Sequence, residues 1–332
     1  MRRRAIRITR GVCASLVAVI IGLTSFVLRA QAPMVPASPP RVGVIGAPGG
    51  TGPMPAVAEA VTSLPNHTIY RPATMPAGRL PLVLWGNGAC SDEGLGFAQF
   101  LREIASYGYV VIALGAPGVE PSVQPQAGPG PGRARGGAPA PPPPATPTVD
   151  PTQYTQHFES IDWAERQTGL ADSPFAGRID TARIAVLGHS CGGLQAIAAS
   201  ADPRVTTTIV MNSGVYNAGP ASGRSSIQVS KDQLLKLHGP VAYVSGGPTD
   251  VAQANAEDDV RRIEHVPVFW AYDRSGHGGT YRQANGGTYA QVARAWLDWQ
   301  LKGDATAARE FVGPACGLCT NAGWTVTQKR LR

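Results

Sequence analysis

The stretch Arg183-Ile184-Ala185-Val186-Leu187-Gly188-His189-Ser190-Cys191-Gly192-Gly193 decides how this chain is read. An apolar run of strand length meets Gly188, a serine follows, and after two more glycines Leu194 to Ser200 has helical character. Strand, tight turn and helix with Ser190 at the apex form the G-x-S-x-G pattern of a nucleophile elbow. The turn is sharp enough that side chains at Gly188 and Gly192 would collide with neighbouring backbone. The start of the following helix presents N–H groups where negative charge would develop on a substrate carbonyl. With 40 glycines in the chain the bare pattern arises easily by chance, so its strand-to-helix setting carries the weight.

Working outward, the same alternation recurs. His67 to Arg71 reads as a short strand, and Leu80 to Trp85 as an apolar strand buried on both faces, ending in the loop Gly86-Asn87-Gly88-Ala89-Cys90. Phe97 to Ser106 places Phe97, Phe100, Leu101, Ile104 and Ala105 at helical spacing, and Tyr109 to Leu114 is again a strand. Tyr154 to Gln167 reads as a helix. Strands are then expected over Val205–Met211, Val241–Ser245 and Val266–Tyr272, with helices over Gln228–Leu237, Ala252–Ile263 and Tyr289–Leu301. Such alternation from residue 66 to 301 predicts an α/β fold with a mostly parallel central sheet and helices on both faces.

Parallel strands bring their C-terminal ends to one edge. Three residues at such ends, Ser190, Asp250 and His277, are candidates for nucleophile, acid and base, in the chain order of the α/β-hydrolase triad. Serine is a poor nucleophile until an imidazole takes its proton, and the imidazole needs an acid to fix its tautomer and stabilise its cation. His277 sits among glycines after the last strand. His67 and His265 border strands, His157 and His238 lie in helices, and His189 is held inside the elbow. Asp258 and Asp259 fall inside a helix, and Asp273 is too close in sequence to His277. For the oxyanion hole the reading selects the N–H of Cys191 and that of Ala89 or, next, Gly88. Trp85, Tyr216, Trp270 and Tyr281 lie near strand ends and are candidates to line an acyl or aryl pocket, or else core residues.

The formal charge of +7 does not indicate a nucleic-acid partner. Arg2, Arg3, Arg4, Arg7, Arg10 and Arg29 lie in the first 32 positions, which hold no acid, and the remaining 23 basic residues face 22 acidic ones. That segment, with an apolar run from Gly11 to Leu28 and then Ala30-Gln31-Ala32, reads as a signal peptide over 1–32, or as an uncleaved N-terminal anchor. Either reading places the protein outside the cytoplasm, secreted or periplasmic; a membrane partner is expected only for the uncleaved form. In an oxidising compartment Cys90, Cys191, Cys316 and Cys319 suggest two disulfides, of which the preferred pairing is local for Cys316–Cys319, leaving Cys90 and Cys191 for each other. A Cys90–Cys191 bond would staple the two loops that carry the oxyanion donors.

Residues 33–65, rich in Pro, Gly and Ala, read as a tether or loosely packed lead-in, and 66–332 as the folded domain. Arg41 to Gly50 is glycine-rich but lacks G-x-G-x-x-G and a P-loop Lys-Ser/Thr, so no cofactor is assigned. Asn66-His67-Thr68 is a formal glycosylation sequon. The insert at 120–151 contains Pro141 to Pro144, and between Pro121 and Thr148 only Arg133 and Arg135 are charged. It reads as a flexible or polyproline-like excursion, either a spacer or a wall beside the site.

Trp85 to Cys90, Gly188 to Gly192, Gly247-Pro248-Thr249-Asp250 and Gly276-His277-Gly278 together resemble secreted α/β-hydrolases of the dienelactone-hydrolase, cutinase and polyesterase-like group. The resemblance runs from about residue 66 to 301 and is specific to the superfamily rather than to a substrate. It implies ester hydrolysis through an acyl-enzyme, with no metal and no organic cofactor. The chain departs from true dienelactone hydrolases, which use a cysteine nucleophile and are cytosolic, and the Pro-rich insert lies outside the usual pattern. A serine peptidase or an acyltransferase would use the same three residues. A non-catalytic binding module on this fold would be expected to have lost one of them.

Overall fold

Apolar runs without polar alternation need cover on both faces, and the fold supplies it. The structure, a computed structural model, describes residues 42–125, 151–217 and 227–332. The expected signal peptide or anchor and most of the Pro-rich insert lie outside the described residues. Ten strands form one sheet: β1 (Gly43–Gly49), β2 (Ala56–Ala60), β3 (His67–Pro72), β4 (Leu80–Gly86), β5 (Val110–Leu114), β6 (Ile179–His189), β7 (Val205–Met211), β8 (Val241–Ser245), β9 (Val268–Tyr272) and β10 (Thr325–Lys329). Their spatial order is β1-β2-β3-β5-β4-β6-β7-β8-β9-β10. The central strands β5, β4, β6, β7, β8 and β9 run parallel, and the remaining pairs at both margins are antiparallel.

Period-two geometry sorts the apolar residues of the central strands into two layers. On one face Val83, Trp85, Val111 and Ala113 pack with α1 (Ala98–Ser106) and α5 (Gly287–Lys302). On the other, Leu82, Leu84, Val110 and Ile112 pack with α2 (Gln156–Gly169) and with Ala196 and Ala199 of α3 (Cys191–Ala199). Farther along that second face Leu194 and Ile197 of α3 meet Val241, Tyr243 and the buried side of α4 (Gln253–Arg262). The fold is therefore α/β, with a mostly parallel sheet between helical layers.

Three local expectations change. Residues 43–60 are not a loose lead-in: β1 pairs with β2, and β2 with β3, which extends the sheet. Their Gly and Ala content, which signals loop in isolation, serves close packing here. A Cβ on Gly52 would stand 2.3 Å from the Ser106 carbonyl oxygen, and the neighbouring Thr51 N–H donates to Glu103 Oε2 at 2.7 Å. Residues 231–236 form a 3-10 turn rather than the expected α-helix. The tail adds β10 antiparallel to β9, with Trp324 against Tyr289.

The two ends of the insert are anchored. Arg102 pairs with Glu120, and Gln124 bridges Gln283. On the returning side, the Thr152 N–H donates to the Cys90 carbonyl at 3.0 Å. Among the described residues, no helix is long and apolar enough to cross a membrane.

Candidate active site

β6 delivers Ser190 by running straight into α3 with no room for side chains at the crossing. A Cβ on Gly188 would fall 2.1 Å from the Gly192 carbonyl oxygen, and one on Gly192 would fall 2.0 Å from that of Gly86. Ser190 itself takes φ 54°, ψ −118°, a conformation that costs a non-glycine residue about 1–3 kcal/mol. The surroundings hold it there. Its N–H donates to Met211 O at 3.0 Å, and its own carbonyl accepts from the Ser213 hydroxyl at 2.6 Å.

The two other candidates converge on it. His277 Nε2 stands 3.0 Å from Ser190 Oγ, and His277 Nδ1 stands 2.7 Å from Asp250 Oδ1. With its proton on Nδ1, the imidazole presents Nε2 as an acceptor for the serine hydroxyl. Asp250, at the end of the turn after β8, is buried and accepts four hydrogen bonds: from His277, from the N–H groups of Gly246 and Ala252, and from the Asn212 amide. Burial alone would raise its pKa, but the donors, led by His277, outweigh burial and hold the carboxyl below its ordinary value.

Asn212, directly after β7, was not singled out in the sequence. It joins the loop that carries His277 to Asp250: its amide N–H group reaches Asp250 Oδ2 at 2.8 Å and the Gly276 carbonyl at 3.1 Å. Its Oδ1 accepts from the Tyr281 hydroxyl at 2.5 Å. Burial pushes the Tyr281 phenol well above its usual pKa, so it remains a donor. Asn212 has φ 44°, a region Asn tolerates better than most residues. An Asn just past a β-branched strand was the one available signal.

A cleft of about 590 Å³ opens over Ser190 and His277, walled by Ala89, Leu194, Tyr216 and Val251 among others. Among the described residues no side chain of Asp, Glu, Lys or Arg lines it. Cys191, also on the wall, is the first residue of α3, and Ala89 sits on the facing 3-10 turn with φ 55°, ψ 18°. Gly88 does not face the cleft: it packs on His189, where a Cβ would come within 2.4 Å of Nδ1. The disulfide Cys90–Cys191 joins that turn to α3 across a sequence separation of 101, and Cys316–Cys319 forms the second.

Of the four aromatic candidates only Tyr216 lines the cleft. Trp85 is fully buried among Phe97, Phe100 and Tyr281, and its indole N–H donates to Asn87 Oδ1 at 2.9 Å. Trp270 lies in the opposite core layer and donates to Ser245 Oγ at 3.0 Å, while Tyr281 is buried and committed to Asn212. Strand pleat turns Trp85 and Trp270 into the layers under the helices, away from the strand ends, and Tyr281 enters the core from the loop after β9. Val251 is 79% exposed at the rim, and Leu194 contributes to the wall from α3; neither was anticipated. Among the described residues no cluster of three or more His, Cys, Asp or Glu side chains is arranged to hold a metal ion.

No protein-family model matches the chain, and no curated protein matches it.

Proposed function

We infer that the protein is a serine hydrolase of carboxylic esters with an α/β-hydrolase fold, working through an acyl-enzyme. One observation carries this reading: Ser190 Oγ, His277 and Asp250 are linked in one hydrogen-bonded relay, at 3.0 and 2.7 Å, with Ser190 and His277 lining an open cleft. His277 Nε2 takes the hydroxyl proton as Ser190 Oγ attacks the ester carbonyl, and Asp250 stabilises the resulting imidazolium. The N–H groups of Cys191 and Ala89 face the oxygen on which negative charge develops. Collapse of the tetrahedral species expels the alcohol, which leaves with the proton from His277. Water then repeats the sequence on the acyl-enzyme and releases the acid. The lining of the cleft, uncharged among the described residues, suits an ester whose acyl and alcohol portions are neutral near the scissile bond. The two disulfides fit an oxidising compartment, which supports the secreted or periplasmic reading.

Hydrolysis of short-chain and medium-chain p-nitrophenyl esters tests this. Wild-type turnover lost by at least ~10³-fold in both Ser190→Ala and His277→Ala is the expected result. A folded wild type that neither turns over the esters nor reacts with a fluorophosphonate probe would overturn it.

A further inference from the structure

We propose that His189 is a positioning residue for His277, holding the base loop in register with the nucleophile through its own side chain. The base sits in a segment with little stiffness of its own, Gly276-His277-Gly278-Gly279, where glycine leaves the unconstrained backbone many alternatives. Two consecutive carbonyls of that segment are held from outside. Asn212 holds Gly276 O, and His189 Nε2 lies 2.8 Å from His277 O. A carbonyl can only accept, so His189 carries its proton on Nε2. Among the described residues its buried Nδ1 has no hydrogen-bond partner, and it packs against Gly88 instead.

The ring is fixed on its other sides by Phe97 at 5.3 Å and Tyr281 at 5.1 Å between centroids, and it lies 5.1 Å from the His277 ring. Burial, only partly offset by the His277 carbonyl, lowers its pKa to about 4, so it stays a neutral donor at neutral pH. Because His189 immediately precedes Ser190, a displacement of the base loop is measured directly against the nucleophile. The same ring sets the height of the Gly88 turn, next to the oxyanion candidate Ala89. His189 acts through the backbone of His277, whose carbonyl its Nε2–H reaches at 2.8 Å, and not on a reacting atom. The proposal rests on the serine-hydrolase reading for its kinetic consequences, but the loop geometry has a readout of its own.

His189→Phe and His189→Leu remove the donor, whereas the amide of His189→Gln can restore it. The first measurement is the NMR resonance of the His277 Nδ1 proton shared with Asp250, which needs no substrate. It is expected in the wild type and in the Gln variant, and broadened or lost in Phe and Leu. The second is ester turnover per site titrated with a fluorophosphonate. Loss of one neutral hydrogen bond predicts kcat lowered about tenfold in Phe and Leu, with KM within about twofold and most of the loss recovered in Gln. An unchanged Nδ1 resonance in Phe and Leu would overturn the proposal, as would equal impairment of Gln and Phe. Loss of cooperative unfolding in both donor-less variants would make the role structural and overturn it as well. If the wild type shows the resonance but no ester turnover, the ester reading fails while the resonance series still decides the role of His189.

Discussion

Replacing Asn212 with Ala removes four side-chain hydrogen bonds, to Asp250, Gly276, Tyr281 and, at 3.5 Å, the Tyr289 hydroxyl. Asp250 loses one of its four donors, a charge-assisted bond of about 1.5–3 kcal/mol. The Tyr281 hydroxyl, buried and among the described residues bonded only to Asn212 Oδ1, is orphaned at about 1–3 kcal/mol. The Gly276 carbonyl loses its amide donor, and Ala accepts φ 44° less readily than Asn. The expected destabilisation is about 3–5 kcal/mol, at the upper end of what single substitutions cost. Tyr281→Phe leaves only Asn212 Oδ1 unsatisfied and should cost about 1–2 kcal/mol. In the double variant the orphaned hydroxyl is gone, so Tyr281→Phe becomes nearly free in the Ala background. The two effects should fall short of additivity by about 1–2 kcal/mol. Urea unfolding of the four proteins, compared through their midpoints at a common m-value, measures the cycle. Additivity within about 0.5 kcal/mol would refute the reasoning, because it would mean that Tyr281 and Asn212 are not exchanging a bond that matters.

Acid should weaken the fold through its buried histidines, while Asp259, whose carboxyl burial pushes up to about 6, acts in the opposite direction over part of the same range. Burial lowers His157 to about 3 and His67 to about 4, both below the ordinary value of 6.5, so between pH 6.5 and 4 the unfolded chain binds more protons. Their contribution is complete above pH 6.5 and is lost as pH falls towards the folded values, by about 1.4 kcal/mol per unit for each histidine. Among the described residues neither ring nitrogen of His157 has a hydrogen-bond partner, so His157→Leu should flatten the midpoint-versus-pH curve; an unchanged slope would contradict the assignment. Asp250, held below its ordinary value, contributes stability that is present above about pH 4 and lost as pH falls below its folded pKa. Loss of the Cys90–Cys191 bond in a double Ser variant should cost about 4–5 kcal/mol, whereas the short Cys316–Cys319 loop should cost only about 2 kcal/mol; calorimetry of both variants checks the ordering. Val251→Asp places a charge at the rim of an uncharged cleft. It should raise KM for a medium-chain neutral ester several-fold with kcat nearly unchanged, and an equal loss of kcat would place Val251 closer to the chemistry.

What the sequence determined by itself is local. Apolar runs of strand length, Gly188 and Gly192 where no Cβ fits, and Ser190, Asp250 and His277 at the ends of their strands follow from short-range sterics and the two backbone periods. Parallel pairing then requires those ends to share one edge, which is why residues 27 and 87 apart in sequence meet. The tertiary structure alone decided who partners whom. Asn212 reads as an ordinary strand-end residue until Gly276 and Tyr281 arrive from more than sixty positions away. His189 reads as filler in the elbow until its ring meets the carbonyl of His277. Residues 43–60 look like loop because glycine and alanine have low strand propensity, yet the sheet edge supplies their hydrogen bonds and α1 needs their small size. Trp85, Trp270 and Tyr281 look like pocket walls because composition carries no direction; only the pleat turns the two tryptophans into the core, and only the folded loop after β9 turns Tyr281 there. Propensity is a property of a few neighbouring residues, whereas hydrogen-bond partnership and burial belong to segments that meet only after the chain has closed on itself.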